Sequence, residues 1–316
     1  MATGWEMVPE TAKALSAPIT KLIEVVAAGC GRVYGPTDVK RTAAAQGEAM
    51  VMLEEAKART SEVALRAANR ILDVEIRRQQ NIDAITQIAQ EQLPHEVSDV
   101  PVDADWAARF FREAQDVSNS QMRLLWGKLL SGEVVKPGSF SHRTLAVVSN
   151  LGQSEAEKFE TLCSMAVKIM GRGPLVVVKV GGASFIGKQP DLSFEDFVEL
   201  QAAGLITHEP LGTQLEFNGV EGQSHSLFIE RPAAIAFVAK HSSARATLPL
   251  GAVNFTSAGR ELFAIAEWKA APEHDKMIYD LLVGAGWSVE RCRIVERQEN
   301  GGILHVPFPF PDQPQN

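Results

Sequence analysis

Apolar residues recur three and four apart along the first half of the chain, and in short unbroken runs along much of the second. Ile19, Leu22, Ile23, Val26, Cys30 and Val33 keep the helical interval and predict a first helix over Ile19–Tyr34. Gly29, Gly31 and Gly35 weaken its far end, and Pro36 closes it. Such an apolar edge packs on a neighbouring helix more often than it lies on a membrane surface. From Thr37 to about Gln92 there is no proline, Gly47 is the one glycine, and Ala, Glu, Arg and Gln dominate. That composition predicts one very long helix, or a helical hairpin broken near Thr60–Ser61. Unbroken, it would extend roughly 80 Å at about 1.5 Å per residue. A rod of that length cannot bury its apolar edge within a compact monomer, so it predicts a partner helix, from its own chain or from another copy.

Pro94 ends the long element. Asp103 or Asp105 caps a helix running to Asp116, and Ser118-Asn119-Ser120-Gln121 reads as a capping box for the next. There Met122, Leu125, Trp126, Leu129 and Leu130 form one apolar face. Lys136-Pro137-Gly138 is a turn, and Ser141–Asn150 a further helix. Ser154-Glu155-Ala156-Glu157 reads as a second capping box, opening a helix to about Met170, and Gly171-Arg172-Gly173-Pro174 marks a domain boundary.

Beyond it, Leu175–Val180 predicts a buried strand. Gly182–Gln189 comes close to a phosphate-binding loop, but Gln189 stands where a magnesium-binding hydroxyl is needed and Pro190 follows. Val178–Ser184 also resembles the opening of amino-acid kinases; the residues after it do not alternate strand and helix as that fold requires. Ser193 caps a helix over Phe194–Ala203, with a ribbon of Leu205–Glu209 and Gln214–Asn218 after it, an order that resembles the end of a winged-helix domain. Leu227–Glu230 and Ala233–Lys240 are strand candidates. A strand from Val253 runs into a helix capped by Thr256 or Ser257, His274–Ala285 is a helix, and Ser288–Val295 is a closing strand.

Together these elements predict an α+β chain: a helical N-terminal half with a very long helix or helical hairpin, then a smaller mixed α/β half with winged-helix-like segments. The expected divisions are a long-helix oligomerisation region over 1–92, a helical domain over 93–172, a mixed domain over 173–300 and a proline-rich tail over 301–316.

Composition sets limits on function. With 45% hydrophobic and 22% charged residues the chain is globular rather than disordered. The net charge of -8 argues against a phosphate backbone as the default partner. No run approaches the ~18 apolar residues of a membrane span, and Met1–Glu6 lacks the pattern of a secretory signal. Cys30, Cys163 and Cys292 are far apart and odd in number, which predicts free thiols in the cytoplasm.

One stretch carries a family resemblance. Its residues are Val97 to Trp106, Phe110-Phe111, Ala114 to Ser118, Leu125-Trp126-Gly127-Lys128-Leu129-Leu130-Ser131-Gly132-Glu133, Pro137 to Ser141 and Arg143-Thr144-Leu145, with Arg78 to Ile82 upstream. The pattern resembles a bacterial domain of unknown function, number 2806 in its series, over about residues 15–170. That resemblance implies no activity and no catalytic residues. Met122–Glu133 also resembles, loosely, a segment of bacterial abortive-infection proteins, which implies phage defence.

The candidate interaction residues are Arg66, Arg70, Arg77, Asp103, Asp105, Trp106, Trp126 and Lys128. Arg59, Arg66, Arg70 and Arg77 share a face of the long helix, where Glu62–Arg66 and Asp73–Arg77 are expected to pair and leave a solvated, neutralised surface. Asp99, Asp103, Asp105 and Asp116 could hold a cation, but capping explains Asp103 and Asp105 more simply. Trp106 and Trp126 could stack on a ligand, but their helical spacing makes them core residues first. The seven histidines follow no metal-binding spacing and are expected at the surface or in loops. No catalytic set, cofactor or metal is expected. The expected function is a non-enzymatic interaction or sensor protein forming a helical homo-oligomer, in phage defence or a stress response, with a protein partner in view. The alternatives are a nucleic-acid-binding regulator using the winged-helix-like segments and a membrane-acting effector using Ile19–Tyr34.

Overall fold

Among the residues that the computed structural model describes (16–30, 62–169, 174–180, 183–184, 192–208, 213–218, 224–232, 234–243, 245–298 and 302–310), helices come first and strands mix with helices afterwards. The chain is an α+β protein in two units, Met1–Ser149 and Asn150–Asn316.

The first unit holds α1 (Ala17–Cys30), α2 (Glu62–Glu91), α3 (Ala104–Ala114), α4 (Ser120–Val135) and α5 (His142–Ser149). α1 buries Leu22, Val25 and Val26, and packs on α3 and α4. The expected end of α1 at Tyr34, the possible break at Thr60–Ser61 and Arg59 lie outside the described residues. α2 is 30 residues long, about 45 Å at 1.5 Å per residue. Asp103 caps α3, its Oδ1 accepting the Trp106 N–H at 2.7 Å. Asn119, not a Ser118 box, caps α4: its Oδ1 takes the amides of Gln121 and Met122 at 2.9 and 3.1 Å. An amide side chain one residue further on satisfies the same orphan donors, so the helix starts later. At Gly127 α4 lies so close to α2 that a Cβ would collide with Ile88. The core is aromatic. The Phe110 ring stacks on Trp106 at 5.1 Å and meets Trp126 edge-on at 5.1 Å, and such pairs add about 0.5–1.5 kcal/mol each beyond their buried area.

The second unit runs α6 (Gln153–Ser164), β1 (Lys168–Ile169), β2 (Leu175–Val180), β3 (Ala183–Ser184), α7 (Phe194–Ala202), β4 (Ile206–His208), β5 (Thr213–Asn218), β6 (His225–Arg231), β7 (Ile235–His241), β8 (Arg245–Phe255), α8 (Ser257–Phe263), α9 (Pro272–Gly284), β9 (Ser288–Arg297) and β10 (Ile303–Pro307). One antiparallel sheet has the order β1-β6-β7-β9-β10; in the other, β3-β2-β8-β4, β5 also pairs with β8. Phe237, Leu248, Ile278, Leu282 and Trp287 lie in their buried core.

Several expectations change here. The unit boundary precedes α6 rather than falling at Gly171–Pro174, because α6 packs on α7 and its Phe159 meets Phe255 edge-on at 5.7 Å. α6 begins after Gly152, whose amide donates to Glu155 Oε2 at 2.7 Å, and stops at Ser164 instead of Met170. Val167 bridges to Leu175 and Ile169 pairs with Ile229: β-branched side chains suit a half-buried pleat better than a helix end. The sequence near a phosphate-binding loop falls partly outside the described residues. Within it, Ala183–Ser184 turns back as a strand on β2, where such a loop would lead into a helix. The expected ribbon is not a hairpin, since β4 and β5 each pair with β8 rather than with one another. The expected tail contains β10, which pairs with β9 from Ile303↔Arg297 to Pro307↔Cys292. No helix among the described residues is long and apolar enough to cross a membrane.

Candidate functional site

α2 has two halves with different surroundings. From Asn81 onward, Asn81, Ile82, Ile85, Thr86 and Ala89 are buried, chiefly through packing on α4. Ahead of Asn81 the same helix exposes large apolar side chains: Val63 by 66%, Ile71 by 62%, Leu72 by 41% and Ile76 by 48%. Arg66, Arg70 and Arg77 are exposed on this half as well. The expected Glu62–Arg66 and Asp73–Arg77 pairs are not closed. Among the described residues, the ion pairs of α2 are those of Arg78, to Glu75 at 3.0 Å and to Asp116 at 2.9 Å. An i,i+4 pair in water gains too little to hold two long side chains still, whereas Arg78 has two carboxylates to bridge. Those two carboxylates raise the Arg78 pKa. Asn81 marks the changeover, its amide donating to Gln115 O at 2.6 Å.

The remaining candidates belong to the helical core. Trp106 and Trp126 are buried and brought together around Phe110. Asp103 caps α3, Asp105 is exposed in its first turn, and Lys128 is half-buried on α4. None of these five lies on the exposed half of α2 with Arg66, Arg70 and Arg77. The run that carries the family resemblance also holds a buried carboxylate. Glu133 accepts the Gly138 amide at 2.6 Å and the Phe140 amide at 3.0 Å, closing the turn after α4. Lys21 donates to Ser98 O at 2.5 Å. Its burial lowers its pKa, against the opposing pull of Asp99, Glu133 and Glu24.

The second unit contains a cluster that no sequence spacing announces. Arg231, at the end of β6, donates from Nε to Asp275 Oδ1 at 2.7 Å, from Nη1 to Ala166 O at 2.5 Å and from Nη2 to Ser164 O at 3.1 Å. Arg291 on β9 reaches Asp275 Oδ2 at 3.3 Å and Phe308 O at 3.0 Å, with its guanidinium over the Phe308 and Phe310 rings at 4.7 and 4.6 Å. Burial lowers the Arg231 pKa, and the Asp275 charge offsets part of that shift. Beside them His274, expected at the surface, is buried in the first turn of α9. Burial first, then the Arg231 charge, pushes its pKa down to about 3, and neither ring nitrogen finds a well-formed hydrogen bond. The arrangement ties α9, β6, β9 and the end of α6 together, with all three Arg231 nitrogens engaged.

On α7, Ser193 caps the helix and Asp196 takes the Ser193 amide at 2.7 Å. Lys158 bridges Asp196 at 2.7 Å and Glu199 at 2.6 Å. The Lys158 ammonium, with the Ser193 donors, brings the Asp196 pKa down to about 2. Phe194 and Val198, one turn apart, are exposed between these acids. Burial raises all three thiols, Cys30 to about 12, Cys292 to about 11 and Cys163 well above its ordinary value. Among the described residues no group of three or more His, Cys, Asp or Glu side chains is placed to hold a metal ion. Asp103 and Asp116 are taken up by the α3 cap and by Arg78.

No curated protein and no solved structure matches the chain. A family does, over residues 65–279, a span that begins later than the resemblance drawn from the sequence and continues through the second unit into α9. That is more than half of the chain, which therefore belongs to the family described as "Protein of unknown function (DUF2806)".

Proposed function

We propose that this chain is a non-enzymatic, cytoplasmic interaction or sensor protein that assembles into a homo-oligomer through the first half of α2. The observation that carries the reading is the change of surroundings along one helix. Val63, Ile71, Leu72 and Ile76 face water, while the residues from Asn81 are covered by α4. Full burial of such side chains is worth about 1.5–3 kcal/mol each, and contiguous exposed apolar surface marks an interaction site. The ionisable groups that converge elsewhere, Arg231, Asp275, Arg291 and Glu133, are engaged in holding turns and strands. The setting we propose is bacterial phage defence or a stress response, on the resemblance of Met122–Glu133 to abortive-infection proteins.

Light scattering on the eluting full-length protein tests the assembly. The expected result is a mass of two or more chains that falls to one chain in the Ile71→Gln/Leu72→Gln variant, with helix content unchanged. A wild-type monomer at tens of micromolar overturns the reading.

The alternatives draw less support. α7, the element a winged-helix reader of DNA would present, carries Glu195, Asp196 and Glu199, where phosphate contact requires cations. Its exposed Phe194 and Val198 suit a protein partner instead. The membrane reading needs a free apolar face on α1, and Leu22, Val25 and Val26 are already packed.

A further inference from the structure

We infer that Phe308-Pro309-Phe310 fills a peptide-recognition seat on β9 and α9, and that the seat takes an extended aromatic–proline–aromatic segment of a partner protein when the chain's own segment leaves it. The seat does not depend on assembly through α2. It is built of Arg291, Arg293 and Tyr279. The Phe308 ring lies 4.7 Å from the Arg291 guanidinium and 3.9 Å from that of Arg293. The Phe310 ring lies 4.6 Å from the Arg291 guanidinium and meets Tyr279 edge-on at 5.4 Å, against the core of the second unit. The backbone is pinned at Phe308, whose amide donates to Arg291 O at 2.9 Å while Arg291 Nη1 donates to Phe308 O at 3.0 Å.

The chemistry of this short run separates it from the strand before it. β10 ends at Pro307, and Pro307 and Pro309 have no N–H to give to a ladder. Proline also fixes its own φ near about −65°, so the run is already extended before it docks and loses little freedom on docking. Residues two apart in an extended chain share a side, which puts both phenyl rings on the seat while Pro309 is exposed. Ring against cation and ring against ring then hold Phe308 and Phe310, both half-buried rather than sealed in. Such contacts are individually weak, and reading alternate side chains of a proline-spaced segment is a mode of peptide recognition. Arg291 keeps the seat in shape, because its side chain is only 10% exposed and Asp275 Oδ2 anchors it at 3.3 Å. The chain's own segment is a tethered competitor at high effective concentration, so a partner enters only while that segment is out.

The test uses the full chain and a fluorescent peptide of sequence Val-Pro-Phe-Pro-Phe-Pro. Phe308→Ala/Phe310→Ala should vacate the seat and bind the peptide with a Kd of about ten to a hundred micromolar, at least about tenfold tighter than wild type, whose own segment competes. Adding Arg293→Ala to that variant should weaken binding about fivefold, and a Val-Pro-Ala-Pro-Ala-Pro peptide should not bind. If the vacated variant does not fold, hydrogen exchange in the wild-type chain decides. The Phe308 amide should exchange about a hundredfold faster than the amides of β7, which lies between two strands, and faster still with the peptide in excess. A folded variant that ignores the peptide, or takes the alanine peptide equally well, overturns the inference. So does a Phe308 amide as protected as those of β7, or one indifferent to the peptide. A vacated variant that folds but loses an assembled mass shown by wild type would make the occupant the tail of a second copy, and so overturn the partner's place in the seat.

Discussion

Arg231 Nε and Asp275 Oδ1 lie 2.7 Å apart with both side chains almost wholly shielded from water. A buried pair of this kind draws its importance from what remains when one partner is lost. Asp275→Asn leaves Arg231 and Arg291 facing an uncharged amide in the interior. We expect a loss of about 3–5 kcal/mol, read as a lower urea midpoint with an unchanged slope. Asp116→Asn, which loosens the half-buried Arg78 from an exposed carboxylate, should leave the midpoint nearly where it was.

His274 makes stability depend on pH in a direction fixed by its burial. Its folded pKa is about 3, against about 6.5 for a free imidazole. Between those values the unfolded chain holds a proton that the folded chain does not, so stability falls as the pH drops through about 6.5 and goes on falling towards 3. The slope from this one group is about 1.4 kcal/mol per pH unit. Urea unfolding at pH 7 and pH 5 should show the loss, and His274→Gln should flatten it. Equal slopes in both proteins would assign the acid sensitivity elsewhere.

The meeting of Arg231 with Asp275 and the burial of His274 leave no mark in the sequence, and the reason is physical. Helix and strand signals are local: Leu175–Val180 shows as a valine-rich apolar run, and Asp103 announces α3 because a cap lies three residues from the amide it holds. Arg231 and Asp275 are 44 residues apart, and no periodicity says which helix will lie beside which strand. His274 is polar at a helix start, where an exposed position is the usual one, so only the packed structure reveals it as interior. β10 was hidden by prolines that a strand end on the edge of a sheet tolerates. The apolar edge of α2 was legible throughout its length. Where it stops being covered was not: Arg77 to Asn81 interrupt the apolar pattern, but only the placement of α4 shows which side of that interruption is buried.

The three cysteines should be inert in the native protein. Burial holds Cys30 near 12 and Cys292 near 11, and raises Cys163 well above its ordinary value, so each stays a protonated thiol at neutral pH. Since the thiolate is the reacting species, Ellman's reagent at pH 7.5 should label the folded chain over hours and all three sites within minutes in denaturant. Rapid native labelling of any one would show it poised as a thiolate.

Glu133 provides the sharpest test of what the family pattern is for. Its carboxylate receives two backbone amides, Gly138 at 2.6 Å and Phe140 at 3.0 Å, in a turn whose buried Phe140 ring lies over Gly132. Bonds to a charged acceptor contribute about 1.5–3 kcal/mol each; the Phe140 bond is buried and the Gly138 bond only partly so. Glu133→Ala should therefore cost about 3 kcal/mol, and Glu133→Gln, which keeps one acceptor, somewhat less. Hydrogen exchange at the Gly138 and Phe140 amides should accelerate in both. If the turn is what Glu133 serves, either variant, once folded, should still elute at the wild-type assembled mass, because α2 from Val63 to Ile76 is untouched. A chain that kept its urea midpoint and lost that mass would move Glu133 from the fold to the assembly surface.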